Sequence, residues 1–225
     1  ILEPCSSVLA CILFFYQPLY MQGNGLDARQ IGLIATLAAV SGLLNQCVAA
    51  PVVNRLGRRV ALLTMSLVCW SIPLLCWMLA TGSVLFLVAA FFFSFSRIAA
   101  LAGYCVVTEE VGENHKSRVF GLLFIIATIG GLGTLAAGPV IARFGLVHTS
   151  RVLYGLAFVS MTLMFVYRHR LLIETAAGVA LNRHHAGLSI LESLRHHLQA
   201  VRENLLNAEF RKLAEAQKNS DALVN

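Results

Sequence analysis

The sequence predicts an all-α membrane protein: six transmembrane helices arranged as two inverted three-helix repeats, followed by an amphipathic cytoplasmic helix. Three observations predict it. Of 225 residues, 58% are hydrophobic and only 12% charged, with a mean hydropathy of +0.75, whereas about a quarter of residues are charged in soluble domains. Six apolar runs each approach the roughly 20 residues that a bilayer crossing needs. A nine-residue pattern also recurs at the ends of the second and fifth runs. The expected division is a six-span bundle over 1–168, with repeats at about 1–80 and 83–168, and a cytoplasmic linker or tail over 169–225.

The first run, Leu2–Met21, lacks a basic leader and is one of six, which argues against a cleaved signal peptide. Gly23-Asn24-Gly25 then supplies turn formers before Gln30–Val53. Gly57 separates that run from Val60–Leu79, and Thr81-Gly82 leads into Ser83–Val107. Gly112-Glu113-Asn114 predicts a turn before Val119–Val140, and Val152–Tyr167 completes the set. None of these connections is long enough to hold a separate domain.

Arg55, Arg58, Arg59, Lys116, Arg118, Arg168 and Arg170 follow the second, fourth and sixth runs, while Arg29, Arg143 and Arg151 lie on the opposite side. Positive charge favours the cytoplasmic face. The expectation is therefore a protein integral to the cell membrane, plasma or inner, with both ends cytoplasmic. The net charge of +6 is spent largely on these loops, so it does not indicate nucleic-acid binding. Cys5, Cys11, Cys47, Cys69, Cys76 and Cys105 all fall within apolar runs with no CxxC pair, and read as reduced packing residues.

Ala49-Ala50-Pro51-Val52-Val53-Asn54-Arg55-Leu56-Gly57 matches Ala137-Gly138-Pro139-Val140-Ile141-Ala142-Arg143-Phe144-Gly145 at a constant offset. That offset superposes spans one to three on spans four to six. Because three is odd, the copies cross in opposite directions, giving an inverted-topology repeat of the kind found in secondary transporters. Chance similarity between apolar segments is the competing reading.

The stretch Pro51 to Arg59, with Asn54, Arg55, Gly57, Arg58 and Arg59 at its heart, resembles the signature loop of the major facilitator superfamily, with Ala50 in place of a Gly and Asn54 in place of an Asp. Glu109 and Lys116, with Arg118 beyond, are similar to that family's second cytoplasmic cluster, Lys116 replacing an Arg. The resemblance implies a latch between the two clusters in the outward-facing state, with Arg55 or Arg58 meeting Glu109. Phe15 to Tyr20, Gln30-Ile31-Gly32 and Glu209 to Leu213 extend the likeness over nearly the whole chain. By that likeness the chain is an N-terminal six-helix half plus a central linker. Gly138-Pro139 matches part of the family's antiporter pattern, but Ala142-Arg143 departs from it.

Arg97 is the single formal charge deep within a predicted span. Burying it in lipid costs several kcal/mol, which marks it as a substrate-pathway candidate and, if it lines the pathway, favours an anionic substrate. Tyr16, Gln17, Asn45 and Gln46 are further pathway candidates, each with interhelical hydrogen bonding as its alternative. Gly130, Gly131, Gly133 and Gly138, with Pro139, give the fifth span a small face for close packing or bending. No Asp or Glu lies deep in a span, and neither a metal site nor a hydrolase motif is present.

In the tail, Leu188, Leu191, Leu194, Leu198, Val201 and Leu205 recur at helical spacing and form one apolar stripe. His184-His185 and His196-His197 are adjacent pairs, which on a helix point apart rather than toward one metal. The function expected is a secondary transporter of a small solute working by alternating access, not an enzyme, with no cofactor and no metal. Its partners are a small-molecule substrate, the lipid bilayer and a second six-helix half in the same chain or a second copy. A nontransporting membrane scaffold is the alternative.

Overall fold

Two glycines with the same rare backbone mark where one long helix runs directly into the next. In the computed structural model, which describes residues 2–175 and 178–180 together with Glu192, Arg195, Gln199 and Glu203, Gly57 has φ 82°, ψ 155° and Gly145 has φ 83°, ψ 145°. This region is essentially restricted to glycine, because a Cβ would strike the backbone. At both sites the glycine closes one helix and opens the next without a loop. Its N–H donates to the carbonyl of Val53 or Ile141, and its carbonyl accepts from the N–H of Ala61 or Thr149, residue for residue at the repeat offset.

The elements in order are α1 (Leu2–Gly23), α2 (Ala28–Leu56), α3 (Arg58–Leu79), α4 (Ser83–Glu110), α5 (Glu113–Phe144) and α6 (Leu146–Leu171). Five of them, α2 to α6, contain stretches long and apolar enough to cross a membrane. In α1 the corresponding apolar stretch, Val8–Gly23, is shorter. Most helices extend beyond the apolar runs that announce them, because hydropathy marks the lipid-facing length while polar end residues continue the helix. Asp27 illustrates this: its carboxylate accepts from the Gln30 N–H at 2.7 Å, and the Gln30 side chain accepts from the Asp27 N–H at 3.1 Å, a capping box that starts α2 ahead of its apolar run. Likewise Glu113 and Asn114, expected in a turn, form the first turn of α5, with Gly112 alone in the N-cap position.

Two spans are irregular for identifiable reasons. Pro73 has no N–H, and its ring excludes the carbonyl four residues back. The preceding turn of α3 widens into a π-helical stretch, Leu67–Ser71, in which the Ile72 N–H reaches the Leu67 carbonyl. In α4 the helix interrupts at Ser94–Phe95, between Ser83–Phe93 and Ser96–Glu110. There the Ser94 hydroxyl donates to the Phe91 carbonyl at 2.6 Å and accepts from the Asn45 amide of α2 at 2.7 Å, while the Ile98 N–H bonds the Phe95 carbonyl.

Helix α1 packs on α5 and α6, α4 packs on α2 and α3, and α3 meets α6. One buried cluster gathers Tyr20, Leu74, Trp77, Phe86, Tyr154 and Met161. The Tyr20 hydroxyl bonds the Trp77 carbonyl at 2.7 Å, and its ring lies 5.2 Å from that of Tyr154, which satisfies the one polar atom Tyr20 brings into the core. Beyond it, Arg151 bonds Asn24 and the Ala80 carbonyl, tying α6 to the ends of α1 and α3. A second cluster of small residues, Ala49, Val53, Ala61, Leu62, Ile98 and Ala102, joins α2, α3 and α4 at the opposite end. The outer faces of α2 and α5 leave large side chains exposed, among them Leu43, Leu44, Phe124, Leu132 and Leu135, surfaces suited to lipid or further apolar protein.

Part of the small face predicted on α5, at Gly133 and Gly138, packs against α1, whereas Gly131 faces open space. A Cβ on Gly133 would lie 2.6 Å from a methyl of Val8, whose β-branched side chain has little freedom to move aside. Gly133→Ala is expected to lower stability by about 1–3 kcal/mol, the usual cost of overpacking. Thermal melting in detergent reads this, and adding Val8→Ala should restore most of the loss; full stability of the single variant would place α5 farther from α1. Gly138 sits beside the Tyr16 hydroxyl, and Pro139 lies inside α5 as an exposed residue of that helix.

Of the expected tail helix, Glu192, Arg195, Gln199 and Glu203 are helical and exposed. The leucine stripe and both histidine pairs lie outside the described residues.

Candidate functional site

Helix α3 begins at Arg58 without a side-chain N-cap from Gly57, so its first N–H groups need partners from elsewhere. Glu174, just beyond α6, provides them. One of its carboxylate oxygens accepts from the Arg58 N–H at 2.7 Å and the other from the Arg59 N–H at 3.0 Å. A carboxylate at a helix N-terminus gains both the two hydrogen bonds and the favourable end of the helix dipole.

The Arg58 side chain, only 5% exposed, turns back under this cap. Its Nε and Nη2 donate to one Glu109 oxygen at 3.2 and 3.1 Å, and its Nη1 donates to the Asn54 Oδ1 at 2.7 Å. The second Glu109 oxygen accepts the hydroxyl of Thr175, itself fully buried. A guanidinium this deeply buried needs such pairing, since an unpaired ion would carry a desolvation cost of several kcal/mol. Arg59 completes the arrangement by donating through Nε to the His169 carbonyl at 3.0 Å, at the last turn of α6.

The sequence-predicted signature residues therefore separate into two groups. Asn54, Gly57, Arg58, Arg59 and Glu109 come together, and of the two arginines considered for Glu109 it is Arg58 that meets it. Arg55 is exposed, Lys116 is half-buried and Arg118 is exposed on the first turns of α5. Asn54 keeps the acceptor oxygen that an Asp would offer but not its charge. Sequence reasoning missed Glu174 and Thr175, because an acid and a hydroxyl after the last apolar run carry no local sign of contact with a helix more than a hundred residues earlier. Glu174→Ala is expected to lower the melting temperature by several degrees, equivalent to about 1–2 kcal/mol, through loss of the α3 cap. An unchanged melting curve would contradict this capping role.

The pathway candidates also divide. Asn45 is taken up by Ser94 and fastens α2 to α4. Tyr16 points its hydroxyl toward the Thr134 carbonyl of α5 at 3.5 Å, and Gln46 is exposed on α2. Gln17 borders a cavity of about 250 Å³ with Pro18, Ile34, Ala38 and Trp77. Arg97 borders a larger one, about 470 Å³, lying between α1 and α4 with α3 and α6 behind it. Phe14, Trp70, Phe93, Ser66 and Arg168 are among its other walls. Arg168, which the sequence marked only as a positive-inside charge, donates to Ser66 at 3.2 Å and stands over the Phe165 ring.

The sequence model of the Major Facilitator Superfamily matches residues 5–207, which spans nearly all of the helical bundle and much of the tail. No curated protein and no solved structure matches the chain. Proteins of this superfamily are membrane transporters rather than enzymes. With the match extending across α1 to α6 and the signature residues gathered around Arg58, the chain belongs to the Major Facilitator Superfamily.

Proposed function

We propose that the chain forms a six-span half of a secondary transporter, two inverted three-helix repeats over about 1–80 and 83–168, that carries a small solute by alternating access. Its partner is a second six-helix half, in the same chain or a second copy, packed on the exposed faces of α2 and α5. Residues 169–225 act as a linker on the cytoplasmic side, with both termini there; the basic residues at the α2–α3 corner, on the first turns of α5 and at the end of α6 support this orientation. The matching turns at Gly57 and Gly145, and a packing scheme in which α1 meets α5 and α6 as α4 meets α2 and α3, support the repeat.

The observation that carries the reading is the Arg58 cluster. It ties three separate elements at one end of the bundle: the α2–α3 corner, the end of α4 and the segment following α6. A buried ion pair with satisfied hydrogen bonds is bistable: intact it holds those elements together, and once water enters it contributes little. In this mechanism the cluster is the cytoplasmic gate, closed when the pathway faces outward and broken when it faces inward. Helix α4 couples the gate to the pathway, since Glu109 and Arg97 stand on the same Ser96–Glu110 segment. Reconstituting the full-length protein and following solute-dependent counterflow tests the transport activity itself. Saturable exchange supports the reading, and its absence across a broad solute panel would favour a scaffold role.

A further inference from the structure

We infer that the cavity between α1 and α4 binds an organic monoanion, a carboxylate on an apolar and aromatic-compatible body, with its charged group held by Arg97. The inference rests on the transport reading of this same region and names the class of solute. Arg97 lies near the middle of α4, roughly 20 Å along the helix from both Ser83 and Glu110. A guanidinium at that depth has five N–H donors to satisfy in a medium that offers none. Among the described residues it has no hydrogen-bond or ion-pair partner, although Asn45 and Ser94 nearby are joined to each other. Gly42 of α2 lies against it and offers no polar group: a Cβ there would stand in ordinary contact, 3.7 Å from the Arg97 Nε.

The charge of the cavity has one sign. Among the described residues Arg97 and Arg168 are its only charged lining residues, and no carboxylate of theirs borders it. An organic cation would meet two like charges, and a neutral solute would leave Arg97 uncompensated. Because Arg168 is already engaged with Ser66 and Phe165, one guanidinium remains for recognition, which suits a single anionic group. The interruption of α4 directly before Arg97 adds the positive end of the Ser96–Glu110 segment to the same place.

The rest of the wall sets the body of the ligand. Phe14, Trp70 and Phe93 form a mutually packed aromatic face, with ring centroids 5.7, 5.1 and 5.5 Å apart pairwise. A volume of about 470 Å³ lies within the range of small-molecule sites and accommodates a one- or two-ring or medium-chain acid.

The test uses detergent-purified full-length protein and calorimetric titration with benzoate, 2-naphthoate and octanoate, each compared with its own primary amide. At least one acid is expected to bind about tenfold or more tightly than its amide, the strength of a charge-assisted hydrogen-bonded pair. Arg97→Gln should abolish that preference and Arg97→Lys restore part of it. Amides that match their acids in the unmodified protein, or a preference that survives Arg97→Gln, would overturn the assignment. Liposome uptake separates binding from transport. Carboxylates that bind through Arg97 but never cross would defeat the transport reading alone, and solutes that cross regardless of charge or of Arg97 would defeat the anion site alone.

Discussion

Glu109→Gln is expected to shift the protein toward the inward-open state by one to two orders of magnitude. Glu109 supplies the only carboxylate oxygen bonded to the Arg58 side chain among the described residues, and its second oxygen receives Thr175. A Gln keeps one acceptor but removes the charge, and hydrogen bonds to charged groups contribute about 1.5–3 kcal/mol. On the proposed alternating-access scheme only the closed gate loses this energy, because in the open gate both groups would be hydrated. The conformational equilibrium therefore moves by nearly the full amount. Distances between spin labels placed at the gate end of this six-span bundle and of its proposed partner half report the populations. A Glu109→Gln distribution superimposable on that of the unmodified protein would mean that the ion pair does not distinguish the two states. Asn54→Asp provides the opposite control: it restores a second negative charge beside Arg58 Nη1 and should narrow the distribution toward the closed form.

The second large effect is expected at the paired turns. Gly57→Ala and Gly145→Ala each force a Cβ into a backbone region with φ above 80° and ψ near 150°, at a cost of about 1–3 kcal/mol if the turn persists. Relief by relaxation is restricted, since each glycine closes one helix and starts the next through bonds on both sides. The repeat makes a sharper prediction than destabilisation alone. Because the bonding is the same at the two sites, the two substitutions should depress the melting temperature by similar amounts. They should differ in function: only Gly57→Ala disturbs the Arg58 gate as well, so its transport defect should exceed that of Gly145→Ala at equal stability. Equal stability losses with equal transport would separate the gate from the turn, and a silent Gly145→Ala would deny the structural equivalence of the copies.

Much of the fold was legible because lipid imposes simple rules. Apolar length located the helices, glycine-containing turn formers located the breaks between them, and the pattern shared by Ala49–Gly57 and Ala137–Gly145 pointed to two similar corners. Other features depended on contacts between distant residues. Nothing local distinguishes Asn45, which fastens α2 to α4, from Gln46 beside it, which is exposed; the difference lies in which face of α2 meets Ser94. Pro73 was visible in the sequence, but the π-helical turn it imposes depends on how α3 accommodates the missing donor. The gate shows the same limit. Arg58 and Glu109 were recognisable through a family pattern, whereas Glu174 and Thr175 acquire meaning only once the end of α6 is brought against the start of α3.

If the cavity opens in turn to the two sides of the membrane, the accessibility of a cysteine at position 100 reports it. Ala100 is exposed, lines the cavity beside Arg97, and forms no part of the gate. In full-length protein cleared of its native cysteines and reconstituted in one orientation, Ala100→Cys is labelled with a membrane-impermeant thiol reagent applied to either side. Reaction from both sides is the predicted result, with Glu109→Gln accelerating it from the cytoplasmic side and slowing it from the other. Labelling from a single side, at a rate that Glu109→Gln leaves unchanged, would contradict alternating access through this cavity.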